Sequence, residues 1–591
     1  MSSRTEERIF YPYEKEGRPA ILLTGQSLDD LVVARDSQVR PIREIIRRYA
    51  RDELGMIVIT FSLAGGIDWD TINVKDERDR QQISSILKKH KLENIKQDED
   101  GVATAISGLI SLLKTPAEGI TWASGKAMRF LILIEFSEHL FPCVQNGTLT
   151  RVQTIGIESL HLLSKNLAFR KSGNYLVVHG RDGWVDELLT SGLSPLRLHQ
   201  PNAIEIEQFL TIIKPIYPKA TFAEGLTDRE IASLVSGNPI RPFEELMRAS
   251  HHSGKTITAN DLSEAKERSV TDLSEGTLSS LKTDRVKDLD LQGRNIQVAA
   301  NVLKTYGEAL SRGNTGTPAN LILAGSPGTG KTDLALVAAF KANAPAFQMH
   351  SPKSSLVGET ERKTRLIQLI LSEFSPHIAV VDEITEALPL ERGEHDGDSG
   401  ASKAVNAGLL SILSDEGRRG KSILIGTTNC PWRMGAAMRS RFVFVPILHP
   451  LPGDFAAITI STARRVNKVD FDDTHPLIQE AARIFYAKGA NPRHIRSAIA
   501  QASLVADRLT PEVVLYAAKD FCGTADLASA IYADLWAIEV CSYKSFLPWN
   551  DNPSNYQFPD HLSSIVDPVT GDIDRSKLKE AIAHYKPDAN L

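Results

Sequence analysis

Short runs of apolar residues recur along the chain, and segments with apolar residues at helical spacing separate them. Runs of this length between helices are typical of buried strands in a parallel sheet. The pattern therefore predicts an α/β fold, in which a parallel sheet has helices on both faces. The runs that carry this prediction are residues 18–25, 56–61, 129–135, 320–324, 377–381 and 423–429.

A glycine-rich loop lies between the run at 320–324 and a strong helix-forming segment that begins at Asp333. It has the form G-x-x-x-x-G-K-T, and this strand–loop–helix context is the one that a phosphate-binding P-loop requires. Lys331 is predicted to reach the β- and γ-phosphates of ATP, and the Thr332 hydroxyl to hold Mg²⁺. The predicted nucleotide-binding residues are Gly325, Ser326, Pro327, Gly328, Thr329, Gly330, Lys331, Thr332, Asp333 and Gly293.

An acidic pair, Asp382 and Glu383, ends the apolar run at 377–381. At this distance behind a P-loop the pair has the form of a Walker B motif. Asp382 is predicted to hold the Mg²⁺ shell, and Glu383 to orient and polarise the attacking water. Asn429 follows a later apolar run, where a polar side chain either caps a turn or contacts the γ-phosphate, and the spacing favours the second.

The first half of the chain contains weaker copies of the second. Residues 129–140 align without a gap with 377–388, which places Glu135 opposite Glu383. Segments 236–239 and 489–492 match in the same way, and together these pairs indicate an internal repeat. The first copy has no phosphate loop after Gly25, so it is predicted to be a degenerate module with a structural or docking role.

The repeat and the motifs give a predicted domain organisation with two modules in tandem. The polar composition near 262–287 favours a linker between them. The predicted parts are a degenerate module with its lid (1–260), a linker (261–287), an ATPase core (288–450), a helical lid (451–523) and a C-terminal helical extension (524–591).

Taken together, the P-loop, the acidic pair and the segment 428–442 resemble the AAA+ ATPases over about residues 285–520. More narrowly, the chain resembles the AAA subfamily, in the group that contains katanin, spastin and the ESCRT-disassembling ATPases. The resemblance implies that Asn429 is sensor 1 and that Arg439 and Arg441 are candidate arginine fingers. It also implies that the segment around Gly293 packs against the adenine.

Two positions depart from the pattern of that subfamily. Arg493 stands where other AAA+ branches have a sensor 2 arginine, which the narrow subfamily usually lacks. The predicted pore loop consists of Leu356, Val357 and Gly358, where an aromatic residue is the commoner first residue. Packing of Leu356 and Val357 beneath the following helix is the alternative.

The composition adds few constraints. The 591-residue chain has 68 Lys+Arg against 73 Asp+Glu, a formal net charge of −5, which gives no general reason to expect a nucleic-acid partner. Its four cysteines are scattered and predict reduced thiols in a cytoplasmic protein. The charged N-terminus lacks an apolar signal region, and no apolar run approaches the length of a membrane span.

The preferred function is that of an Mg²⁺-dependent ATPase, which remodels, unfolds or disassembles a protein substrate as a ring-shaped homo-oligomer of six subunits. A nucleic-acid motor or loader is one alternative, and a nucleotide-gated scaffold or switch is another. Stimulation of the ATPase by protein, by DNA or by neither separates the three. The sequence does not identify the substrate.

Overall fold

The apolar runs identified in the sequence form strands of two six-stranded sheets in a computed structural model. The structure describes residues 4–586 except 70–73, 94, 96–97, 117–119, 144–148, 282–290, 343, 351–358, 388–409, 507 and 524–526. The chain divides into two units, one comprising Met1–Ser269 with Ser354–Leu366, and the other Val270–Lys353 with Ile367–Leu591.

The first unit contains five parallel strands in the order β8-β1-β7-β6-β4, with β5 antiparallel to β4 at the edge. Its strands are β1 (Ala20–Thr24), β2 (Leu31–Val33), β3 (Val39–Pro41), β4 (Met56–Ser62), β5 (Gly66–Trp69), β6 (Arg129–Ile134), β7 (Tyr175–His179) and β8 (Ser194–Arg197). Its helices are α1 (Thr5–Glu16), α2 (Ile42–Asp52), α3 (Glu77–Lys89), α4 (Glu99–Leu113), α5 (Ser137–Leu140), α6 (Arg151–Ser164), α7 (Leu167–Ser172), α8 (Glu187–Gly192), α9 (Ala203–Ile213), α10 (Asp228–Val235), α11 (Ile240–Ser253) and α12 (Ala259–Leu273).

The second unit repeats this arrangement, with five parallel strands in the order β14-β10-β13-β12-β11 and β9 antiparallel to β11 at the edge. Its strands are β9 (Leu278–Leu281), β10 (Asn320–Ala324), β11 (Ala346–Met349), β12 (His377–Val381), β13 (Ser422–Thr428) and β14 (Val443–Pro446). Its helices are α13 (Arg294–Ser311), α14 (Lys331–Ala342), α15 (Glu359–Glu373), α16 (Ile384–Ala387), α17 (Ala436–Arg439), α18 (Phe455–Asn467), α19 (Pro476–Ala487), α20 (Pro492–Val505), α21 (Pro511–Asp520), α22 (Leu527–Val540), α23 (Asp560–Ser563) and α24 (Arg575–His584).

The prediction of an α/β fold is therefore confirmed, and the two sheets share one strand order. In both, the first strand lies between the fourth and the fifth parallel strands. The turn after that first strand also has the same close contact, because a Cβ on Gly25 would lie 2.1 Å from Leu198 O and one on Gly325 would lie 2.0 Å from Ile447 O. A glycine is required at each turn because the backbone that follows the fifth strand passes so close.

Residues 261–287, predicted as a linker, contain regular structure in their described part. The stretch includes most of α12 and all of β9, which pairs with β11. The polar composition did not reveal this regular structure, because polar residues separate the buried positions of α12. Of these buried residues, Leu262 and Lys266 have 1% and 0% of their surface exposed. The Lys266 ammonium donates a hydrogen bond to Ser236 O at 2.9 Å, which compensates part of the cost of burial.

The C-terminal extension packs on its own unit. Leu535 and Ile538 on α22 are fully buried, and so is Trp549 in the loop that follows. All three belong to the apolar cluster that also contains the sheet residues Ile322 and Phe444.

A buried arginine, Arg418, joins three segments at the amino end of the central strands. Its guanidinium donates to Asn320 Oδ1 and Ile412 O, both at 3.0 Å, and to Ala319 O at 3.1 Å. Burial lowers the pKa of Arg418 to about 10. The side chain thus holds the start of β10, the strand that leads into the P-loop.

We expect the change Arg418→Met to destabilise the second unit by about 2–4 kcal/mol, because several buried acceptors lose their donor. Urea unfolding monitored by tryptophan fluorescence, to which the buried Trp549 contributes, measures this loss. Arg419→Ala is the matched control, since the neighbouring Arg419 is exposed and pairs only with the exposed Glu416 in the described structure. Equal effects of the two changes would contradict a structural role for Arg418.

Candidate nucleotide-binding site

The predicted P-loop connects the buried end of β10 to the first residue of α14. Gly328 and Gly330 have φ angles of 76° and 86°, which glycine adopts at little cost. A Cβ on Gly328 would also lie 2.5 Å from the Asn491 amide nitrogen. A turn with these dihedral angles at a helix N-terminus directs backbone N–H groups towards an anion, so the local geometry fits a phosphate chain.

Lys331, the first residue of α14, is buried beneath the loop with 7% of its surface exposed. Its ammonium donates hydrogen bonds to Gly325 O at 3.0 Å and to Ser326 O at 2.6 Å. Burial lowers its pKa to about 8, and the carboxylates of Asp534, Asp382 and Glu383 oppose that shift. The cation is therefore held inside the loop, where it complements negative charge.

The predicted metal ligands Thr332 and Asp382 are in contact. Thr332 Oγ1 donates a hydrogen bond to Asp382 Oδ1 at 2.7 Å, and Thr427 Oγ1 donates to the same oxygen at 2.9 Å. Hydroxyl and carboxylate oxygens are the ligands that Mg²⁺ prefers, so this donor pair fits the ion. The arrangement arises because β10, β12 and β13 are parallel and end at the same edge of the sheet.

Glu383 follows Asp382 directly and is exposed, with a φ angle of 49°. Its backbone N–H donates to Thr427 Oγ1 at 3.1 Å, so one hydroxyl orients both acidic residues. The pKa of Glu383 is raised by a side-chain hydrogen bond with Glu386, then by burial, then by repulsion from Glu386 and Asp382. A raised pKa suits a carboxylate that accepts a proton from water.

The structure brings some of the other predicted residues to this edge. Asn429 follows β13 and is partly buried, next to Thr428, whose hydroxyl lies 3.1 Å from that of Thr385. Arg493 is exposed at the start of α20, and its charge contributes to lowering the pKa of Lys331. Asp333 pairs with Arg465 of the lid helix α18 at 3.5 Å.

Gly293 directly precedes α13 with a φ angle of 110°, and a Cβ there would lie 3.3 Å from Asp454 Oδ2.

The two finger candidates differ in their contacts. Arg441 donates to Ser414 Oγ at 2.8 Å and to Ala437 O. Within the described part of the chain, the side chain of Arg439 makes no hydrogen bond or ion pair. The predicted pore-loop residues Leu356, Val357 and Gly358 lie outside the described residues.

Comparison with known proteins gives a family match for the segment that contains this site. The model of the ATPase family associated with various cellular activities (AAA) matches residues 321–447, from β10 to the residue after β14. Residues 321–447 of this chain thus resemble an AAA ATPase domain.

Three curated relatives each match part of the chain, at 29–31% identity. Spastin from Homo sapiens is 29% identical over 28% of this chain and 27% of its own length. Vacuolar protein sorting-associated protein 4B from Mus musculus is 30% identical over 26% of this chain and 36% of its own. Meiotic spindle formation protein mei-1 from Caenorhabditis elegans is 31% identical over 22% of this chain and 28% of its own.

This chain thus spans between 27% and 36% of the length of these three relatives. The crystal structure of the FIGL-1 AAA domain matches with a TM-score of 0.37 and 20% sequence identity. The match covers 46% of this chain and 95% of the FIGL-1 chain. The predicted resemblance to the AAA group that contains spastin is confirmed by the family and sequence matches. Across the described part of the chain, none of the helices combines the length and the apolar character that a membrane span requires.

The first unit has different chemistry at the position that corresponds to the AAA site. Arg43, the second residue of α2, pairs with Glu135 at 2.7 Å, much as Thr332, the second residue of α14, contacts Asp382. The N–H groups of Ile42 and Arg43 donate to carbonyls of the preceding segment at 3.0 and 2.9 Å. These amides are therefore already bonded within the protein.

This correspondence corrects the gapless alignment of the two halves by one residue. Phe136 and Glu383 both have positive φ angles, 53° and 49°, and both directly precede a short helix. Glu135 therefore corresponds to Asp382, and not to Glu383 as the alignment predicted. The offset arises because β6 is one residue longer than β12, which an ungapped comparison of apolar runs cannot detect.

Two residues at the AAA site were missed by the sequence reasoning. Asn491 of the lid donates from its amide to Pro327 O at 3.1 Å, and Asp534 of α22 accepts from Ser326 N at 3.3 Å. The repeated Asn-Pro pair signalled Asn491, although its contact with the loop was not evident. Asp534 gave no signal beyond being one of two acidic residues, with Glu539, in a largely apolar helix.

We expect Glu386→Gln to move the acidic limb of the kcat profile to lower pH. As the predicted base, Glu383 must be ionised to accept a proton. Glu386 raises the pKa of Glu383, so removing the Glu386 carboxylate lets Glu383 stay ionised in more acidic solution. Steady-state ATPase rates between pH 5 and 8 measure the shift. Glu416→Gln, on an exposed turn, is the control, and an unchanged limb in Glu386→Gln would contradict the coupling.

Proposed function

We propose that this protein binds ATP with Mg²⁺ at Gly325–Thr332 and hydrolyses it. The observation that carries the proposal is the contact of Thr332 with Asp382, beside which Thr427 orients Glu383. On this proposal the metal ligands and the base lie at one edge of the sheet. Mg²⁺, when bound, neutralises charge on the phosphates.

The chain's own residues supply the remaining parts of the reaction. The P-loop amides and Lys331 bind the phosphates, while Thr332 and Asp382 would hold the metal ion. Glu383 orients the attacking water and takes its proton. Asn429 contacts the γ-phosphate as sensor 1, and Arg493 adds positive charge from the lid.

The work that hydrolysis drives is, we infer, the remodelling or disassembly of a protein substrate by a ring of six copies in the cytoplasm. The similarity to spastin and to vacuolar protein sorting-associated protein 4B supports this inference. Leu356, Val357 and Gly358 are proposed to contact the substrate in the central pore. A protein substrate should stimulate the ATPase; stimulation by DNA would favour a nucleic-acid motor, and no stimulation by either would favour a switch.

The first unit is proposed to bind no nucleotide. At its corresponding site Arg43 and Glu135 neutralise each other, and the α2 amides that would meet a phosphate are bonded to backbone carbonyls. Its shared strand order with the second unit supports a degenerate module that serves as a structural or docking element.

Glu383→Gln should leave ATP binding intact and lower kcat by at least about 100-fold, because the metal ligands remain while the base is lost. Lys331→Ala should abolish binding by the whole chain, since the first unit offers no second site. Titration with a fluorescent ATP analogue and a phosphate-release assay separate the two effects.

Lys341→Ala is the control for the lysine change, because Lys341 is exposed at the far end of the same helix. A Glu383→Gln chain that turned over ATP at the wild-type rate would disprove the assignment of the base. Tight residual binding by Lys331→Ala would disprove the degenerate first unit.

We further propose that Arg439 is the principal arginine finger and acts on the nucleotide of a neighbouring subunit. Arg441 is engaged with Ser414 and Ala437, whereas Arg439 is without such contacts among the described residues. ATPase activity per chain should therefore rise with protein concentration, as assembly brings fingers to sites.

Mixing Arg439→Ala/Arg441→Ala chains with Lys331→Ala chains should restore hydrolysis, since each provides what the other lacks. Light scattering establishes that the two variants assemble, and phosphate release measures the activity. In the control mixture, Arg433→Ala chains replace the double variant, because Arg433 is an exposed arginine of the same segment. Proven assembly without any restored activity would rule out fingers in trans.

A further inference from the structure

Helix α22 carries a buried carboxylate that contacts the phosphate-binding loop. Asp534 lies midway along the helix, with 3% of its surface exposed. Its Oδ1 accepts a hydrogen bond from Ser326 N at 3.3 Å, and its Oδ2 accepts one from His449 N at 2.8 Å. One side chain from the C-terminal extension therefore joins the P-loop to the segment that follows β14.

Apolar packing already holds α22 in place without this carboxylate. Leu535, Ala537 and Ile538 are each fully buried in the cluster that covers the sheet. A buried carboxylate is costly by comparison, and burial raises the pKa of Asp534 to about 6 despite its two amide donors. Anchoring of the helix alone would not require an acidic residue at this position.

The carboxylate is connected to Lys331 through Ser326. The N–H of Ser326 donates to Asp534, while its carbonyl accepts from the Lys331 ammonium at 2.6 Å. Among the charges that oppose the effect of burial on the pKa of Lys331, Asp534 contributes most. The two hydrogen bonds of Ser326 therefore link Asp534 to the lysine of the P-loop.

We propose that Asp534 is a positioning residue for nucleotide binding, which fixes the peptide between Gly325 and Ser326. It acts through these two residues and does not touch the nucleotide. The inference rests on the proposed binding of ATP at this loop. It assigns to the C-terminal extension a part in the site that lies outside the AAA match.

The test compares Asp534→Asn with Glu539→Gln in the full-length chain. Asparagine keeps the size of the side chain but loses the charge and can accept from only one of the two amides. Glu539 is a matched carboxylate on the same helix, and it pairs with Arg575 at 2.9 Å. Kd for a fluorescent ATP analogue, KM and kcat for ATP, and the melting temperature without nucleotide are measured for each.

We expect Asp534→Asn to raise both Kd and KM about tenfold with kcat within twofold, because a misplaced loop weakens ground-state and transition-state binding alike. Glu539→Gln should leave all three within twofold. Unchanged Kd and KM in Asp534→Asn, or equal losses in both variants, would overturn the role of Asp534. A wild-type chain that binds no ATP would instead refute the proposed function.

Asp534→Leu provides a second test if Asp534→Asn fails to fold. Leucine preserves the apolar packing of α22 and removes both the charge and the acceptors. A folded Asp534→Leu chain with weakened ATP binding supports positioning, whereas one with normal binding refutes it. Failure of both variants to fold would show that Asp534 is a structural anchor, which also overturns the proposal.

Discussion

The parallel pairing of β10, β13 and β12 is the constraint on which the candidate site depends. Because the three strands are parallel and in register, the P-loop, the acidic pair and Asn429 leave the sheet at one edge. The hydrogen bond from Thr332 to Asp382 connects residues 50 positions apart in sequence. A slip of one residue in the register would turn every side chain to the opposite face and separate these groups.

The lid and the C-terminal extension complete the site from outside that sheet. Asn491 reaches the P-loop at Pro327, and Asp534 reaches it at Ser326. The extension also holds the start of α13, where Tyr556 donates to Asn295 Oδ1 at 2.9 Å. The neighbourhood of the predicted nucleotide site is therefore assembled from segments spread over more than half of the second unit's sequence.

The first unit shows that one sheet topology can support different chemistry. Both sheets have the same strand order and a glycine at the same close approach, after β1 and after β10. Yet an ion pair between Arg43 and Glu135 lies where the second unit has a hydroxyl and a carboxylate. An arginine beside the carboxylate provides the positive charge that a metal ion would otherwise supply, which is why we infer a structural role for this unit.

The sequence by itself determined the fold class and the contiguous motifs. Buried strands require consecutive apolar residues, and the P-loop requires glycines and Lys331 at fixed spacing, so both are visible locally. The acidic pair was equally accessible because it directly follows such a strand.

Only the tertiary structure decided the contacts between distant residues. Asp534 and Ser326 are 208 positions apart, and nothing in the apolar pattern of α22 indicates which buried position faces the loop. The alignment of the first half with the second depended on where β6 ends. The hydrogen bond from Arg418 to Asn320 joins residues that come together only when the sheet forms. Such contacts arise from the packing of whole elements, and local spacing does not encode them.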